Sequence, residues 1–248
     1  MRGLRRAGLV ALALVVLMAV ACGDDKKDES KDAGGAGGGK QPDPATLARQ
    51  AADQVEALKS FHFLLEHENG GSPIVLDLSM TRAEGDIVKP DRIKADVEAV
   101  ATQLGGANVK VKVFNVGDKG VISNPFNPRM YLALPENVQL KDIIDPGAGV
   151  TKAMRAAQNP RITGEETVNG VKVWRLEGEI DAAELQDFSN VAEPGYMVKG
   201  VALVGQQKPL VHRVRLEGAL GPKDPPNIVR KVDLSKFDEK VEIELPSS

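Results

Sequence analysis

The chain of 248 residues sets 32 Lys and Arg against 35 Asp and Glu, a net charge of −3, which lacks the basic excess of a nucleic-acid binder. Its single cysteine excludes an intramolecular disulfide, a thiolate zinc site and thiol redox chemistry. Aromatic residues make up only 4%, too few for a carbohydrate- or base-stacking platform.

Met1 to Cys22 opens with Arg2, Arg5 and Arg6, runs apolar from Ala7 to Ala21 and ends at the cysteine. A basic start, a short apolar stretch and small residues before a cleavage point describe a secretory signal. The run is short of the roughly 20 apolar residues that span a bilayer. Ala19-Val20-Ala21 before Cys22 resembles a bacterial lipobox, with Ala19 where leucine is preferred. Only a thiol can carry the diacylglycerol thioether, so Cys22 is the expected lipid-attachment site and the first mature residue. Two or three acyl chains, at about 0.8 kcal/mol per buried methylene, hold a protein stably on a membrane. The alternatives are an ordinary signal peptide with an incidental cysteine, or an N-terminal membrane anchor. The organisation expected is a signal peptide over 1–21, a tether over 22–43 and one globular domain over 44–248. The tether includes Asp24-Asp25-Lys26-Lys27-Asp28-Glu29 and the glycine-rich 34–39. It has no branched apolar residue or aromatic to bury, so disorder is expected, with a reach of roughly 25 Å. The protein is read as exported and lipid-anchored on the extracytoplasmic face of the cell membrane.

Asp43-Pro44 reads as an N-cap and a proline in the first helical turn. Leu47, Ala51, Val55 and Leu58 then share a helical face, and the helix is expected to end near Lys59. A strand over 61–68 and the turn Asn69-Gly70-Gly71 follow. Ile74, Leu76, Leu78 and Met80 alternate with polar neighbours, as a strand paired to the preceding one. Arg92 to Ala101 alternates again, with Ile93, Ala95, Val97 and Ala99 on one side. Val109-Lys110-Val111-Lys112-Val113 is the clearest period-two run. Gly117 to Gly120 turns it into Val121-Ile122-Ser123, and Tyr131 to Leu134 forms a further strand. Val138 to Gln158, with Ile143, Ile144, Val150 and Met154 around Pro146-Gly147, reads as one or two short helices. Arg161 to Leu176 is a hairpin turning at Asn169-Gly170. Asp181 caps a short helix to Phe188. Met197–Val204, Val211–Gly218 and Ile228–Leu234 complete the strands. One-sided strands with tight turns imply an antiparallel sheet with a solvated face, and the element order implies α+β.

No catalytic set emerges. His62, His67 and His212 are the only histidines. His62 and His67 are five apart on one strand and so face opposite ways, which speaks against a metal site. Glu165-Glu166 likewise face opposite ways, as a solvated hairpin. No nucleophile elbow, zinc-protease helix or phosphate loop is present. Lys110 and Lys112 form a basic stripe opposite the valines, the wet face of a sheet with room to touch anionic head groups. The expectation is a protein without enzymatic activity, cofactor or metal.

The stretch from Ile162 to Gly178, containing GEETVNGVKVWRLEG, resembles a hairpin of the LppX/LprA/LprF/LprG lipoproteins, which are similar to the carriers LolA and LolB. ATLARQAADQVEALKSFHFLLEHENG, from Ala45, resembles the start of that family. The resemblance covers most of Ala45 to Leu234. It implies a strongly curved antiparallel half-barrel, with helices over its concave face and an apolar cavity for acyl chains. Family members are linked to binding or moving triacylated glycolipids and other lipids, so a lipid or glycolipid is the expected ligand and a membrane transporter a candidate partner. The resemblance carries no catalytic residue across. Candidate cavity residues are Leu58, Phe61, Phe63, Leu65, Leu76, Leu78, Met80, Val97, Val109, Val111, Val113, Ile143, Ile144, Met154, Trp174 and Leu176. For each alone, a packed core position is the commoner fate.

The function expected is a membrane-anchored carrier that binds acyl chains and carries or presents a lipid across the envelope. The alternative is a structural or signalling lipoprotein whose sheet packs on a partner protein. The anchor is tested by Cys22→Ser, which is expected to be released from membranes or left unprocessed. A variant still membrane-bound, cleaved and of wild-type mass overturns the lipobox reading.

Overall fold

A computed structural model describes residues 41–74, 78–134, 145–186, 189 and 191–246. Cys22 and all of the expected tether up to Lys40 lie outside the described residues, as do Leu76, Ile143 and Ile144. All the described residues except Gln41 belong to one compact unit, Pro42–Ser248.

The described chain begins with helix α1 (Pro44–Ala57), whose Asp43 side chain accepts a hydrogen bond from the Thr46 amide at 2.8 Å. The helix stops two residues before the expected Lys59. Leu58 is already extended and caps it by donating to Val55 O, which turns the chain directly into β1 (Ser60–Glu68). The other strands are β2 (Ser72–Pro73), β3 (Leu78–Val88), β4 (Arg92–Ala101), β5 (Ala107–Val116), β6 (Lys119–Asn124) and β7 (Asn127–Ala133). Helix α2 (Pro146–Ala156) follows, then β8 (Gln158–Val168), β9 (Val171–Asp181), β10 (Met197–Gly205), β11 (Val211–Glu217) and β12 (Val229–Ser235). A 3-10 turn, Ala182–Leu185, is capped by Asp181, as the sequence suggests.

The strands form one antiparallel sheet in the order β7-β6-β5-β4-β3-β1-β12-β11-β10-β9-β8, with β2 against β3. It is open, with β7 and β8 as its edges. One pairing differs from expectation. The partner of β1 is Arg82–Val88, the second half of β3, while Leu78 to Met80 pairs with β4 and β2. Arg82–Val88 carries Ala83, Gly85 and Ile87 at its inward positions, so only the last of the three is a large apolar residue of the kind that marks a strand in sequence.

The register aligns side chains into rows across strands. One row runs Val111–Val97–Ala83–Leu65–Val232–Val214–Ala202–Leu176–Ile162, an apolar line over nine strands. A second runs Leu132–Ile122–Val113–Ala95–Gly85–Phe63–Leu234. Both belong to the inner face, which packs with α1 and α2 into one large buried cluster. The opposite face is a solvated lattice of ion pairs. Arg213 lies beside Asp233, Arg175 bridges Glu166 and Glu177, and Arg215 bridges Glu68 and Glu217. Lys110 and Lys112, the basic stripe, are paired with Glu98 and Asp96.

Gly85 is the tightest point on the inner face. A Cβ there would lie 2.0 Å from Lys94 O and 2.7 Å from Ala95 Cα, both backbone atoms. Gly85→Ala is therefore expected to force β3 and β4 apart, lowering unfolding free energy by about 1–3 kcal/mol or more. Urea unfolding measures this; wild-type stability would contradict the close approach.

Candidate functional site

Two helices cover the inner face, and they are held differently. α1 buries Leu47, Ala48, Ala51, Ala52 and Val55. Lys89, at the end of the β3–β4 ladder, donates its Nζ to Val55 O at 3.0 Å and Glu56 O at 2.8 Å. These are C-terminal carbonyls that the helix itself leaves unpaired. The same ammonium stands 6.0 Å from the Phe61 ring centre. Burial holds the Lys89 pKa below the ordinary lysine range, while Asp145, Glu56 and Asp238 act against that shift.

α2 starts at its cap, Asp145, which accepts from the Ala148 amide at 2.9 Å. Its first turn fits onto the sheet because Gly147 has no side chain: a Cβ would sit 2.7 Å from Phe61 Cζ. It packs against α1 and buries Val150, Ala153 and Met154, and Arg155 adds bonds to Asp53 at 3.0 Å and to Glu56. The side chains of Arg155, Asp53 and Glu56 are well exposed, and such pairs are worth roughly 0–1 kcal/mol.

Beneath the C-terminal turn of α2 the packing opens. A cleft of about 300 Å³, counting its open mouth, lies between Ala153, Met154 and Ala157 above and strands β9, β10 and β11 below. Its floor is Leu176, Gly178 and Ile180, then Gly200 and Ala202, then Val214 and Leu216. The space has a simple origin. Gly178 and Gly200 are direct cross-strand partners, as are Ala202 and Leu176, so small residues meet where two large ones would fill the gap. Most of that volume is its open mouth; the enclosed space is about 20 Å³, room for about one water molecule and well short of the roughly 300–1,000 Å³ of small-molecule pockets.

The row through the cleft's glycines continues Gly178–Gly200–Leu216–Arg230–His67 and so ends in a polar group. Arg230 pairs with Asp224 at 2.5 Å, both buried. Arg230 also donates to Gly218 O, and Asp224 accepts from the Leu220 amide at 2.9 Å. This pair ties the β11–β12 connection to the sheet. His67 places Nε2 2.8 Å from the Ser72 hydroxyl; its buried Nδ1 has no hydrogen-bond partner among the described residues. Among those residues, no group of His, Cys, Asp or Glu is arranged to hold a metal.

Of the sequence candidates, the cleft gathers Met154 and Leu176. Leu58, Phe61, Phe63, Leu65, Met80, Val97, Val111 and Val113 are buried in the main cluster, with Trp174 partly buried against it. Leu78 and Val109 join Ala99 and Ala101 in a second cluster. The candidates are thus mostly packed positions. Sequence reasoning missed the cleft's small residues; the signal for them is small residues at inward places in strong strands, Gly178 in β9 and Gly200 and Ala202 in β10.

The LppX_LprAFG lipoprotein model matches residues 43–243, and the chain belongs to that family. It is 26% identical over 247 residues to the lipoarabinomannan carrier protein LprG of Mycobacterium tuberculosis, covering 98% of this chain and 95% of that one. It is 27% identical over 153 residues to the putative phthiocerol dimycocerosate transporter LppX of Mycobacterium bovis, 58% and 59% of the two chains. The fold matches LprF of Mycobacterium bovis with a TM-score of 0.64 at 16% identity, covering 85% of this chain and all of that one. It matches LppX of Mycobacterium tuberculosis with a TM-score of 0.57 at 20% identity, covering 82% and 100%.

Burial lowers the His67 pKa from 6.5 to about 4; Arg230 adds to this, while the Thr81 backbone and Asp224 oppose it. The folded state thus favours the neutral ring. Its contribution is complete above the unfolded-state value near 6.5 and is lost as the pH falls toward 4, by up to about 3 kcal/mol. His67→Gln is expected to flatten the fall in unfolding free energy between pH 6.5 and 4. An unchanged slope would locate the acid sensitivity elsewhere.

Proposed function

We propose that the protein is a lipid-anchored carrier, not an enzyme, which holds acyl chains of a lipid or glycolipid against the inner face of the sheet. The observation that supports this reading is the apolar cleft under α2, built by the Gly178–Gly200 pair on a continuous apolar face. Relatives named as carriers of lipoarabinomannan and phthiocerol dimycocerosate give the ligand class. The gain on binding is removal of apolar surface from water, roughly 25 cal/mol per Å². Cys22 keeps the carrier on the extracytoplasmic side of the membrane, the tether lets it move there, and a membrane transporter is a candidate partner. The cleft is too small for several chains at once. Loading therefore requires α2 to shift, which uncovers its buried Val150, Ala153 and Met154 and must be offset by the apolar surface the acyl chains cover.

Native mass spectrometry of detergent-free protein is expected to find bound lipid. Ala202→Phe blocks the cleft and is expected to lose that lipid while the protein still unfolds cooperatively. Val111→Trp is the contrast. Val111 lies five strands from β11 in packed surroundings, so overpacking there is expected to cost about 1–3 kcal/mol. Wild-type protein without lipid under gentle extraction, or Ala202→Phe with full occupancy, overturns the carrier reading in favour of a module that binds a protein partner.

A further inference from the structure

The β6–β7 hairpin is unlike the rest of the surface. Phe126 at its tip is 77% exposed, and Met130 and Leu132, on the same side of β7, are 44% and 42% exposed. Phe126 lies in the turn that joins the strands, so the apolar surface runs from the tip onto one side of β7. The tip is built to present its phenylalanine. The Asn124 side chain accepts from the Phe126 amide at 2.8 Å and the Asn127 amide at 3.2 Å, and Pro125 and Pro128 flank it. From Lys119 to Leu134 the only charges are Lys119 and Arg129, with no acidic residue, in a chain whose net charge is −3.

Two comparisons within the molecule sharpen this. The other large exposed apolar residues, Val171 and Met197, stand beside acids: Val171 shares a hairpin with Glu165 and Glu166, and Met197 pairs with Asp181. The other sheet edge, β8, carries Arg161, Glu165 and Glu166, charges of the kind that protect an edge strand. β7 carries only Arg129. An apolar, mildly cationic edge is an aggregation hazard in water, whereas at an anionic bilayer surface its charge is complementary.

We infer that the β6–β7 hairpin docks on the bilayer: Phe126, Met130 and Leu132 enter the head-group region, and Lys119 and Arg129 meet anionic lipid phosphates. Leu132 also begins the apolar row that leads through Ile122 and Val113 to Phe63 beneath the helices. Docking there joins the membrane to the covered face by a dry track. The inference rests on the carrier reading for its purpose and on the Cys22 anchor for confinement to the membrane.

The test uses the full-length protein acylated at Cys22 and reconstituted in vesicles of phosphatidylglycerol and phosphatidylcholine. A bimane is attached to Phe126→Cys, or to Val171→Cys as reference, and quenched by lipids bearing nitroxides near the head group. Quenching at 126 is expected to be severalfold that at 171, weaker in pure phosphatidylcholine and weakened by salt. Equal quenching at the two sites overturns the docking and points to a protein partner for the hairpin. Native mass spectrometry on the same samples separates the two readings. Lipid in the cleft without preferential quenching at 126 sinks the docking alone. Preferential quenching with an empty wild-type cleft supports the docking and sinks the carrier.

Discussion

Everything in this structure depends on burying one apolar face of a very wide sheet. Nine strands contribute to the Val111–Ile162 row, a span of about 38 Å at the usual strand spacing. The N-terminal and C-terminal halves are joined by a single pairing, β1 with β12. Phe63 and Leu234 face each other there, both almost completely buried. Among the described residues the cover is two helices of 14 and 11 residues, which at 1.5 Å per residue are about 21 and 16 Å long, with Leu185, Val191 and Leu220 beside them. So little cover over so wide a face succeeds only because the face is made of small residues in places and of large ones in others.

Topology decides where α2 lies. The chain leaves β7 at one edge of the sheet and enters β8 at the opposite edge. A connection between opposite edges must pass across a face, and the inner face offers apolar contacts to what crosses it. α2 is the described part of that crossing. It packs its Gly147 end on Phe61 and its Met154 end on the cleft. α1 differs because it abuts β1 directly and is capped by Lys89 from the neighbouring ladder. The two helices also pack against each other, so they cover the face as one layer.

Strands with large inward residues were legible in the sequence. β4 and β5 alternate cleanly, the β8–β9 hairpin turns at Asn169-Gly170, and the expected caps Asp43 and Asp181 accept from backbone amides. Where inward positions hold glycine or alanine the pattern fades, because period-two reasoning detects the contrast between large apolar and polar residues. The second half of β3 escaped for that reason through Ala83 and Gly85. The cleft escaped for the same reason through Gly178, Gly200 and Ala202. The β1–β12 pairing was illegible for another cause: nothing local in either strand names a partner some 170 residues away. Within a curved or open sheet, a list of large apolar residues finds the filled part of the face, while the space is marked by what is missing.

That asymmetry bears on stability as well. Gly178 and Gly200 oppose each other inside paired strands, where glycine costs about 0.5–1 kcal/mol relative to alanine and weakens a strand by giving nothing to pack. A Cβ at Gly200 would meet the Ile180 Cδ1 tip at 3.1 Å, the end of a flexible side chain, so the site tolerates more bulk than it has. The far half of the sheet shows the filled state: Val97, Val111 and Val113 stand at its inward positions, all buried. A fold whose only demand was stability would extend that packing to β9 and β10. Gly178 and Gly200 forgo it under the C-terminal turn of α2, the trade expected where stability is not the only demand on a fold.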